Sequence, residues 1–285
     1  MDRTVRCRHL HSRPLTIRTL GALNVKQDSV DVGGGRLTYH YRKSSEGGAA
    51  QAVIFLHPWF GCWQFWQATA DALPEFDVYS LDLYSLGDGP NWRDFAGPEG
   101  LAKAVGAFID ALGLERCVVV GNSMGGITAQ VLAAERGKGI DKLILVGTGA
   151  RIFGVKPEWR KALDTWIAGE ADRAFTERLV AGLTARTPEK FPLYVEQVAA
   201  ANKAFMGAVL NDAFEHDFRS LLPNITAKTL VIRGEFDAAR TPAHVAELLA
   251  GIPDSRAVEV PNAGHSPQVD SHDRFTPLVR DFLVS

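Results

Sequence analysis

Short, continuous apolar runs alternate with amphipathic helical patterns along most of this 285-residue chain. The runs, rich in Val, Ile and Leu, lie at 52–57, 77–83, 117–122, 142–147, 228–234 and 256–260. Unbroken apolar strands are typical of parallel sheets, which helices cover on both faces. Segments between the runs, such as 100–114 and 125–137, repeat apolar residues at three- and four-residue steps and are predicted helices. The alternation predicts an α/β fold with a mostly parallel, doubly wound sheet.

Two parts of the chain depart from this alternation. Before it, residues 28–34 and 36–44 are β-rich and separated by glycine, which predicts antiparallel strands. Later, residues 151–223 contain no predicted strand and only amphipathic helical stretches, too long an interval for a loop. The predicted organisation is an N-terminal extension at 1–24, a core domain at 25–150 and 223–285, and a helical cap at 151–222.

The charge balance and cysteine pattern narrow the classes of partner. Net charge is −2 with both signs interspersed, so no overall field favours nucleic acid or a membrane surface, and a small molecule is the expected partner. Cys7, Cys62 and Cys117 have no disulfide-framework or zinc-site spacing. The N-terminal segment is arginine-rich without an apolar core, so we expect a cytoplasmic protein, a transit peptide being the alternative. A homo-oligomer is left open.

The sequence VVVGNSMGGITAQ places Ser123 between a predicted buried strand and a predicted helix. Gly121 and Gly125 flank it in the pattern G-x-S-x-G, and only glycines let a strand and a helix pack so closely around a strained turn. The start of the helix offers unpaired N–H groups that suit a developing oxyanion. A serine that merely caps a helix fits the same letters, but the strand before it and the helix after it favour a nucleophile.

A serine nucleophile needs a histidine base and a carboxylate that orients this base. His265, in VPNAGHSPQVD, directly follows the last apolar run, at the sheet edge where parallel strands form a ligand crevice. Asp237, in LVIRGEFDAARTP, follows the preceding run and stands between Ser123 and His265 in chain order. Glu235 is the competing acid, and we expect its side chain to be structural. The sequence therefore predicts a triad of Ser123, His265 and Asp237.

Together these residues resemble the α/β-hydrolase superfamily over essentially everything after the N-terminal segment. The order Ser, Asp, His is the order of that family. The sequence HPWFG at 57–61, with Trp66 downstream, is similar to its loop after the third strand, although Pro58 replaces the usual glycine. The resemblance implies an α/β-hydrolase fold with about eight strands and an inserted helical cap. We interpret His57 as a buried turn histidine bonded to backbone.

The same resemblance implies further site residues. The backbone N–H groups of Trp59 and Met124 would form the oxyanion hole. Phe60 and Trp63, in an aromatic-rich loop, would contribute to an apolar substrate pocket, although such residues also pack caps onto cores. Arg151, where the cap begins, would pair with a substrate carboxylate, an ordinary surface arginine being the alternative.

The predicted activity is that of a serine hydrolase which cleaves a small to medium ester or lactone through an acyl-enzyme. The hexapeptide GNSMGG at 121–126 resembles that of C–C bond hydrolases acting on aromatic ring-fission products, but HPWFG and Ser266 after His265 depart from their pattern. A slow-turnover ligand receptor and a non-hydrolytic enzyme on the same scaffold are further alternatives. No metal motif or phosphate-binding glycine loop occurs in context, so no metal and no cofactor are expected.

Overall fold

The structure, a computed structural model, describes residues 25–45, 50–153, 157–185 and 191–285. The strands of these residues are β1 (Lys26–Asp31), β2 (Arg36–Arg42), β3 (Ala52–Leu56), β4 (Asp77–Asp82), β5 (Cys117–Asn122), β6 (Ile140–Val146), β7 (Lys228–Gly234) and β8 (Ser255–Val260). They form one sheet in the order β1-β2-β4-β3-β5-β6-β7-β8. β2 pairs antiparallel with β1 and β4, and every later pair is parallel. The mostly parallel eight-stranded sheet is confirmed, whereas the predicted extension at 1–24 lies outside the described residues.

Helices fill most of the intervals between the strands. They are α1 (Gln67–Asp71), α2 (Pro98–Ala111), α3 (Met124–Arg136), α4 (Pro157–Ile167), α5 (Arg173–Ala181), α6 (Phe191–Ala200), α7 (Lys203–Glu215), α8 (Pro242–Gly251), α9 (Pro267–Asp270) and α10 (His272–Val284). The predicted helices at 100–114 and 125–137 correspond to α2 and α3. α2 begins earlier because Pro98, which lacks an N–H, suits the first helical position. No helix of the described ranges is long and apolar enough to cross a bilayer.

The sheet is buried on both faces, which explains its unbroken apolar sequence. In β3, Ile54 packs into a core with Val105 of α2 and Ile127 of α3. Its neighbour Phe55 points to the opposite face and packs into a second core with Phe275 of α10. Every residue of β3 and of β5 is buried. The prediction of a doubly wound sheet is therefore confirmed.

Helices α4 to α7 occupy the interval between β6 and β7, where the sequence predicts a cap at 151–222. Their buried side chains include Trp166 and Phe205. They rest on the loop after β3, because the indole N–H of Trp59 donates to the backbone oxygen of Met206 at 2.7 Å and the Trp59 ring lies 5.7 Å from that of Trp166. The helices thus cover the loop in which an oxyanion donor is predicted, while the boundaries of the cap stay a prediction.

Candidate active site

The serine turn (residues 121–126) joins β5 to α3 in a strained conformation. Ser123 has φ 54° and ψ −112°. Non-glycine residues rarely adopt positive φ, and such strain persists only where the surroundings impose it. Here the N–H of Ser123 donates to the backbone oxygen of Val146 at 2.9 Å, and its C=O accepts from the N–H of Ile127 at 3.0 Å. The backbone of Ser123 is fixed on both sides.

Glycines at 121 and 125 are required by close backbone contacts. A Cβ on Gly121 would lie 2.2 Å from the backbone oxygen of Gly125. A Cβ on Gly125 would lie 2.4 Å from the backbone oxygen of Leu56, at the end of β3. Both of these oxygens belong to the backbone of a helix or a strand, so they could not move aside as a flexible side chain could. Neither glycine can therefore be replaced by a larger residue without shifting the backbone. The packing reason given for the G-x-S-x-G pattern is confirmed, and it extends to β3.

His265 and Asp237 form a buried pair. The Nδ1 atom of His265 lies 2.9 Å from Oδ2 and 3.0 Å from Oδ1 of Asp237. Oδ1 also accepts from the N–H groups of Ala239 and Arg240, both at 2.9 Å. Burial alone would raise the pKa of Asp237, but its electrostatic interaction with His265 and these hydrogen bonds outweigh burial and hold the pKa below its usual value. The ionised carboxylate keeps a proton on Nδ1, which leaves Nε2 of His265 as a proton acceptor.

Glu235, the competing acid, points elsewhere. Its side chain is exposed, and its Oε2 accepts from the N–H of Asn262 at 2.9 Å. Asn262 belongs to the histidine loop (residues 261–266) and has φ 58°. Glu235 therefore supports a turn of the histidine loop, in agreement with the expected structural role.

Asn122, the residue before the serine, connects the serine turn to the histidine loop. Its Nδ2 donates to the backbone oxygens of Val146 at 2.9 Å and His265 at 3.1 Å. Its Oδ1 accepts from Oγ of Ser266 at 3.0 Å and from Nε2 of Gln268 at 2.8 Å. Because all of these groups are buried, each bond replaces one that water would have made. The sequence analysis did not predict this role. Its one sequence signal is an amide side chain at the end of an otherwise apolar, buried strand.

Asp270 holds the histidine loop from another side. Its Oδ2 accepts from the N–H of Gly264 at 2.7 Å and from the N–H of Ala185 at 2.9 Å. Ala185 follows α5, so one carboxylate joins the histidine loop to the helices above the sheet. No motif in the sequence indicates this link.

A cavity of about 490 Å³ opens where the parallel strands end. Six of the predicted site residues line it, namely Trp59, Phe60, Ser123, Met124, Asp237 and His265. They come from the loops after β3, β5, β7 and β8, which the sheet brings to one edge. The structure therefore gathers the predicted nucleophile, base and acid around one cavity.

The loop after β3 lies against the serine turn. The N–H of Gly61 donates to the backbone oxygen of Pro58 at 2.9 Å, which closes a turn around Trp59 and Phe60. On the other side, Met124 is the first residue of α3, and its N–H precedes the first intrahelical hydrogen bond, so the helix itself does not use it. Both predicted oxyanion donors thus belong to backbone segments on the cavity wall.

His57 is buried and bonded to backbone, as expected. Its Nε2 accepts from the N–H of Leu83 at 3.1 Å, so its Nδ1 carries the proton and donates to the backbone oxygen of Pro58 at 2.9 Å. Burial lowers the pKa of His57 to about 4, and the ring is neutral at neutral pH. It fixes the start of the loop after β3.

Trp63 is not part of the cavity, contrary to the sequence prediction. Its indole stacks on the imidazole of His40 with ring centroids 3.6 Å apart and planes 10° from parallel. A short 3₁₀ helix, Trp63–Trp66, begins at this residue and turns it toward β2. The prediction treated the aromatic residues of the loop as one group, although Phe60 alone of this pair lines the cavity.

Arg151 does not face the cavity either. Its guanidinium pairs with Glu247 of α8, with Nη2 2.5 Å from Oε1 and Nε 3.3 Å from Oε2. This bidentate pair uses the geometry that a substrate carboxylate would need. Arg151 therefore attaches the first residues after β6 to α8, and it does not line the cavity in which substrate binding was predicted.

Among the residues that the structure describes, no three His, Cys, Asp or Glu side chains are grouped to hold a metal ion. Cys62 and Cys117 are buried free thiols.

Comparison with known proteins gives a consistent result. The sequence model of the alpha/beta hydrolase family matches residues 53–278. The 2-hydroxy-6-oxo-6-phenylhexa-2,4-dienoate hydrolase of Comamonas testosteroni is 30% identical over 275 residues, which cover 86% of this chain and 90% of that protein. The N-formylmaleamate deformylase of Pseudomonas putida is 28% identical, with 76% of this chain and 83% of that protein covered.

Among solved structures, the enol-lactonase from Burkholderia xenovorans superposes with a TM-score of 0.79 and 27% identity. The superposition covers 90% of this chain and 100% of the enol-lactonase chain. The three proteins align with 76 to 90% of this chain, and each carries the name of a hydrolytic enzyme.

Proposed function

Since the chain belongs to the alpha/beta hydrolase family and is a hydrolase, we propose that it cleaves a small to medium carboxylic ester or lactone by covalent catalysis at Ser123. The observation that carries this proposal is that a strained serine turn and a buried His265–Asp237 pair line the same cavity. Such a constellation is the one that serine acyl transfer needs.

In the first half of the proposed reaction, Nε2 of His265 accepts the proton of the Ser123 hydroxyl as Oγ attacks the substrate carbonyl. The carbonyl oxygen becomes an oxyanion, which accepts hydrogen bonds from the N–H groups of Trp59 and Met124. Asp237 stabilises the imidazolium that forms on His265. The imidazolium then protonates the leaving alkoxide, and the acyl group remains on Ser123.

In the second half, His265 takes a proton from a water molecule, which attacks the acyl carbonyl. The same backbone N–H groups stabilise the second oxyanion. Its collapse breaks the bond to Ser123, whose Oγ recovers the proton from His265, and the carboxylic acid leaves. A lactone follows the same steps, except that its leaving hydroxyl stays attached to the product.

The cavity supports a small or medium substrate with apolar parts. Its volume of about 490 Å³ is within the range of small-molecule sites. Trp59 and Phe60 contribute aromatic surface near the serine turn, and Ile152 and Phe153 contribute apolar surface from the segment after β6.

C–C bond hydrolysis is the second candidate. It is supported by the GNSMGG sequence of the serine turn and by two relatives. These are the 2-hydroxy-6-oxononadienedioate/2-hydroxy-6-oxononatrienedioate hydrolase of a Pseudomonas species, at 26% identity, and the hydrolase of Comamonas testosteroni named above, at 30% identity. The substrates of such a reaction would be vinylogous diketo acids, and the leaving carbon atom would have to gain a proton when the C–C bond breaks. Ser266 after His265 and HPWFG after β3 are the features that favour the ester or lactone reaction instead.

A panel of p-nitrophenyl esters, lactones and vinylogous diketo acids tests the proposal. We expect multiple turnovers of at least one ester or lactone, and loss of that turnover by roughly a thousandfold or more in Ser123→Ala. Ser220→Ala, at an exposed serine, is the matched control and should turn over normally. Preference for the diketo acids would assign the second candidate, and equal turnover by Ser123→Ala would contradict both.

A further inference from the structure

Two buried polar side chains on the cavity wall are not used by the proposed reaction. Arg240 follows Asp237 by three residues and is 8% exposed, and His244 of α8 is 2% exposed. Both line the cavity that Ser123 and His265 share.

The position of Arg240 is fixed by its backbone. Its N–H donates to Oδ1 of Asp237 at 2.9 Å, and its C=O accepts from Nε of Arg233 at 2.8 Å. In the side chain, Nη1 donates to the backbone oxygen of Ala239 at 2.9 Å, while the buried Nε has no hydrogen-bond partner within the described ranges. No ion pair joins Arg240 to a carboxylate of these residues. A buried guanidinium is ordinarily paired with an anion.

His244 presents a second donor. Its Nδ1 accepts from the N–H of Thr241 at 3.1 Å, so the proton of the neutral ring is on Nε2. Burial, reinforced by the charge of Arg240, lowers the pKa of His244 to about 4, and the ring is neutral at neutral pH. The buried Nε2 has no partner in the part of the chain that the structure describes. Stacking on Phe153, at 4.0 Å between centroids, fixes the ring plane.

The carboxylates nearby are already engaged. Of the described residues that line the cavity, Asp237 is the one with a carboxylate, and it accepts from His265 and from two backbone N–H groups. Glu247, one turn beyond His244 on α8, pairs with Arg151. The wall formed by Arg240 and His244 therefore contains a positive charge and buried N–H groups for which the described residues supply no acceptor.

We propose that Arg240 and the Nε2–H of His244 bind a carboxylate of the substrate, so that the preferred ester or lactone carries a second, free carboxylate. This inference rests on the proposed function and narrows its substrate class. A guanidinium binds a carboxylate through paired N–H groups and an imidazole N–H adds a third donor, which gives both affinity and orientation. The site lies on the segment that follows the triad carboxylate, so it fixes the substrate relative to the triad.

The alternative is that Arg240 only supports Asp237. A supporting role would lower the turnover of every substrate alike, whereas a carboxylate site acts on the ratio between charged and neutral substrates. We therefore compare 4-nitrophenyl half-esters of succinate, glutarate and adipate with neutral 4-nitrophenyl esters of the same acyl length. The readout is the ratio of kcat/KM for each pair.

Wild-type protein should favour the half-ester of one length by about tenfold or more, and Arg240→Met should reduce this ratio by about tenfold or more, mainly through KM. Arg240→Lys should retain part of the preference. Arg256→Met, at an exposed position where β8 begins, is the matched control and should leave the ratio unchanged. A wild-type preference for neutral esters at all lengths, or an equal loss for both esters in Arg240→Met, would overturn the proposal.

A binding measurement tests the carboxylate site separately from the proposed reaction. It uses the wild-type protein, so it does not depend on whether a variant folds. Calorimetry with wild-type protein should detect glutarate, and glutaramide should bind at least about tenfold more weakly. Equal binding of the two, or binding of neither, would overturn the carboxylate site even if esters are hydrolysed. Glutarate binding without any ester or lactone turnover would instead contradict the proposed reaction and leave the site in place.

Discussion

The serine turn and the histidine loop reach the same cavity, but different contacts hold them. In the serine turn, Gly121 and Gly125 allow backbone to meet backbone, and the strain at Ser123 follows from that packing. Similar approaches occur at the histidine loop: a Cβ on Gly234 would lie 2.0 Å from the backbone oxygen of Gly264, and a Cβ on Gly147 would lie 2.5 Å from that of His265. The histidine loop also depends on side chains from other elements, above all Asn122. A local backbone constraint can be recognised from a short motif, whereas a network assembled from distant residues cannot.

Removing the charge of Asp237 should have the largest effect on the histidine side. Asp237→Asn preserves the shape of the side chain but loses the charge that stabilises the imidazolium of His265, so kcat should fall by about 10³ to 10⁴ while the fold persists. Glu235→Gln is the matched control and should change kcat by less than about threefold. Steady-state kinetics with circular dichroism measure both. Near-normal turnover of Asp237→Asn would move the acid role to Glu235.

Adding a side chain in the serine turn should lower the free energy of unfolding as well as the turnover. In Gly125→Ala, the new Cβ meets the backbone of Leu56 and His57, which should lower the free energy of unfolding by about 3 kcal/mol. Gly106→Ala in α2, where a Cβ would meet its first neighbour at 3.5 Å, is the control and should be neutral or stabilising by up to about 1 kcal/mol. Urea denaturation compares the two variants. Equal stabilities would show that the turn relaxes easily.

Cutting the link between the two regions should have an intermediate effect. Asn122→Ala leaves buried Ser266 and Gln268 without their acceptor, which should lower the free energy of unfolding by about 1 to 3 kcal/mol. Because the His265 backbone also loses a hydrogen bond, kcat should fall by roughly 10- to 100-fold. Asn122→Asp is the comparison variant, since it keeps an acceptor oxygen for Ser266 and Gln268 but loses the N–H donor to Val146 and His265. If Asn122→Ala matches wild type in kcat, the histidine loop is held without this amide.

The smallest effect is expected at Trp63, which lies outside both regions. Its ring stacks on His40 and does not line the cavity, so Trp63→Ala should leave kcat/KM within about twofold of wild type. Phe60→Ala, from the same loop but on the cavity wall, should raise KM for apolar esters. Kinetics with one ester series compares them. A larger effect at Trp63 than at Phe60 would contradict the placement of the two rings.

Sequence patterns were sufficient to predict a mostly parallel sheet and to place Ser123, Asp237 and His265 directly after its strands. Strand periodicity and chain order are local or sequential properties, and the loops that follow parallel strands necessarily meet at one sheet edge. The pairing of Arg151 with Glu247 could not be predicted, because it joins residues 96 positions apart through packing of α8. The proposed role of Arg240 could not be predicted either, because it depends on the absence of a carboxylate partner among the described residues, which only the folded structure shows.

A sequence motif also cannot predict the direction in which an aromatic side chain points. Phe60 and Trp63 are three residues apart in one loop, yet Phe60 lines the cavity while Trp63, the first residue of a 3₁₀ helix, stacks on His40 of β2. Composition alone predicts that the loop is aromatic. Only the backbone path decides which ring meets the substrate.

Labelling with a fluorophosphonate tests the central claim most directly, because this reagent reacts with a serine only when a base and an oxyanion site activate it. Intact-mass spectrometry of the folded protein should show one adduct, mapped by peptide analysis to Ser123 and absent from Ser123→Ala. A folded wild-type protein that gains no adduct, or an adduct that persists in Ser123→Ala, would contradict the assignment of Ser123 as nucleophile.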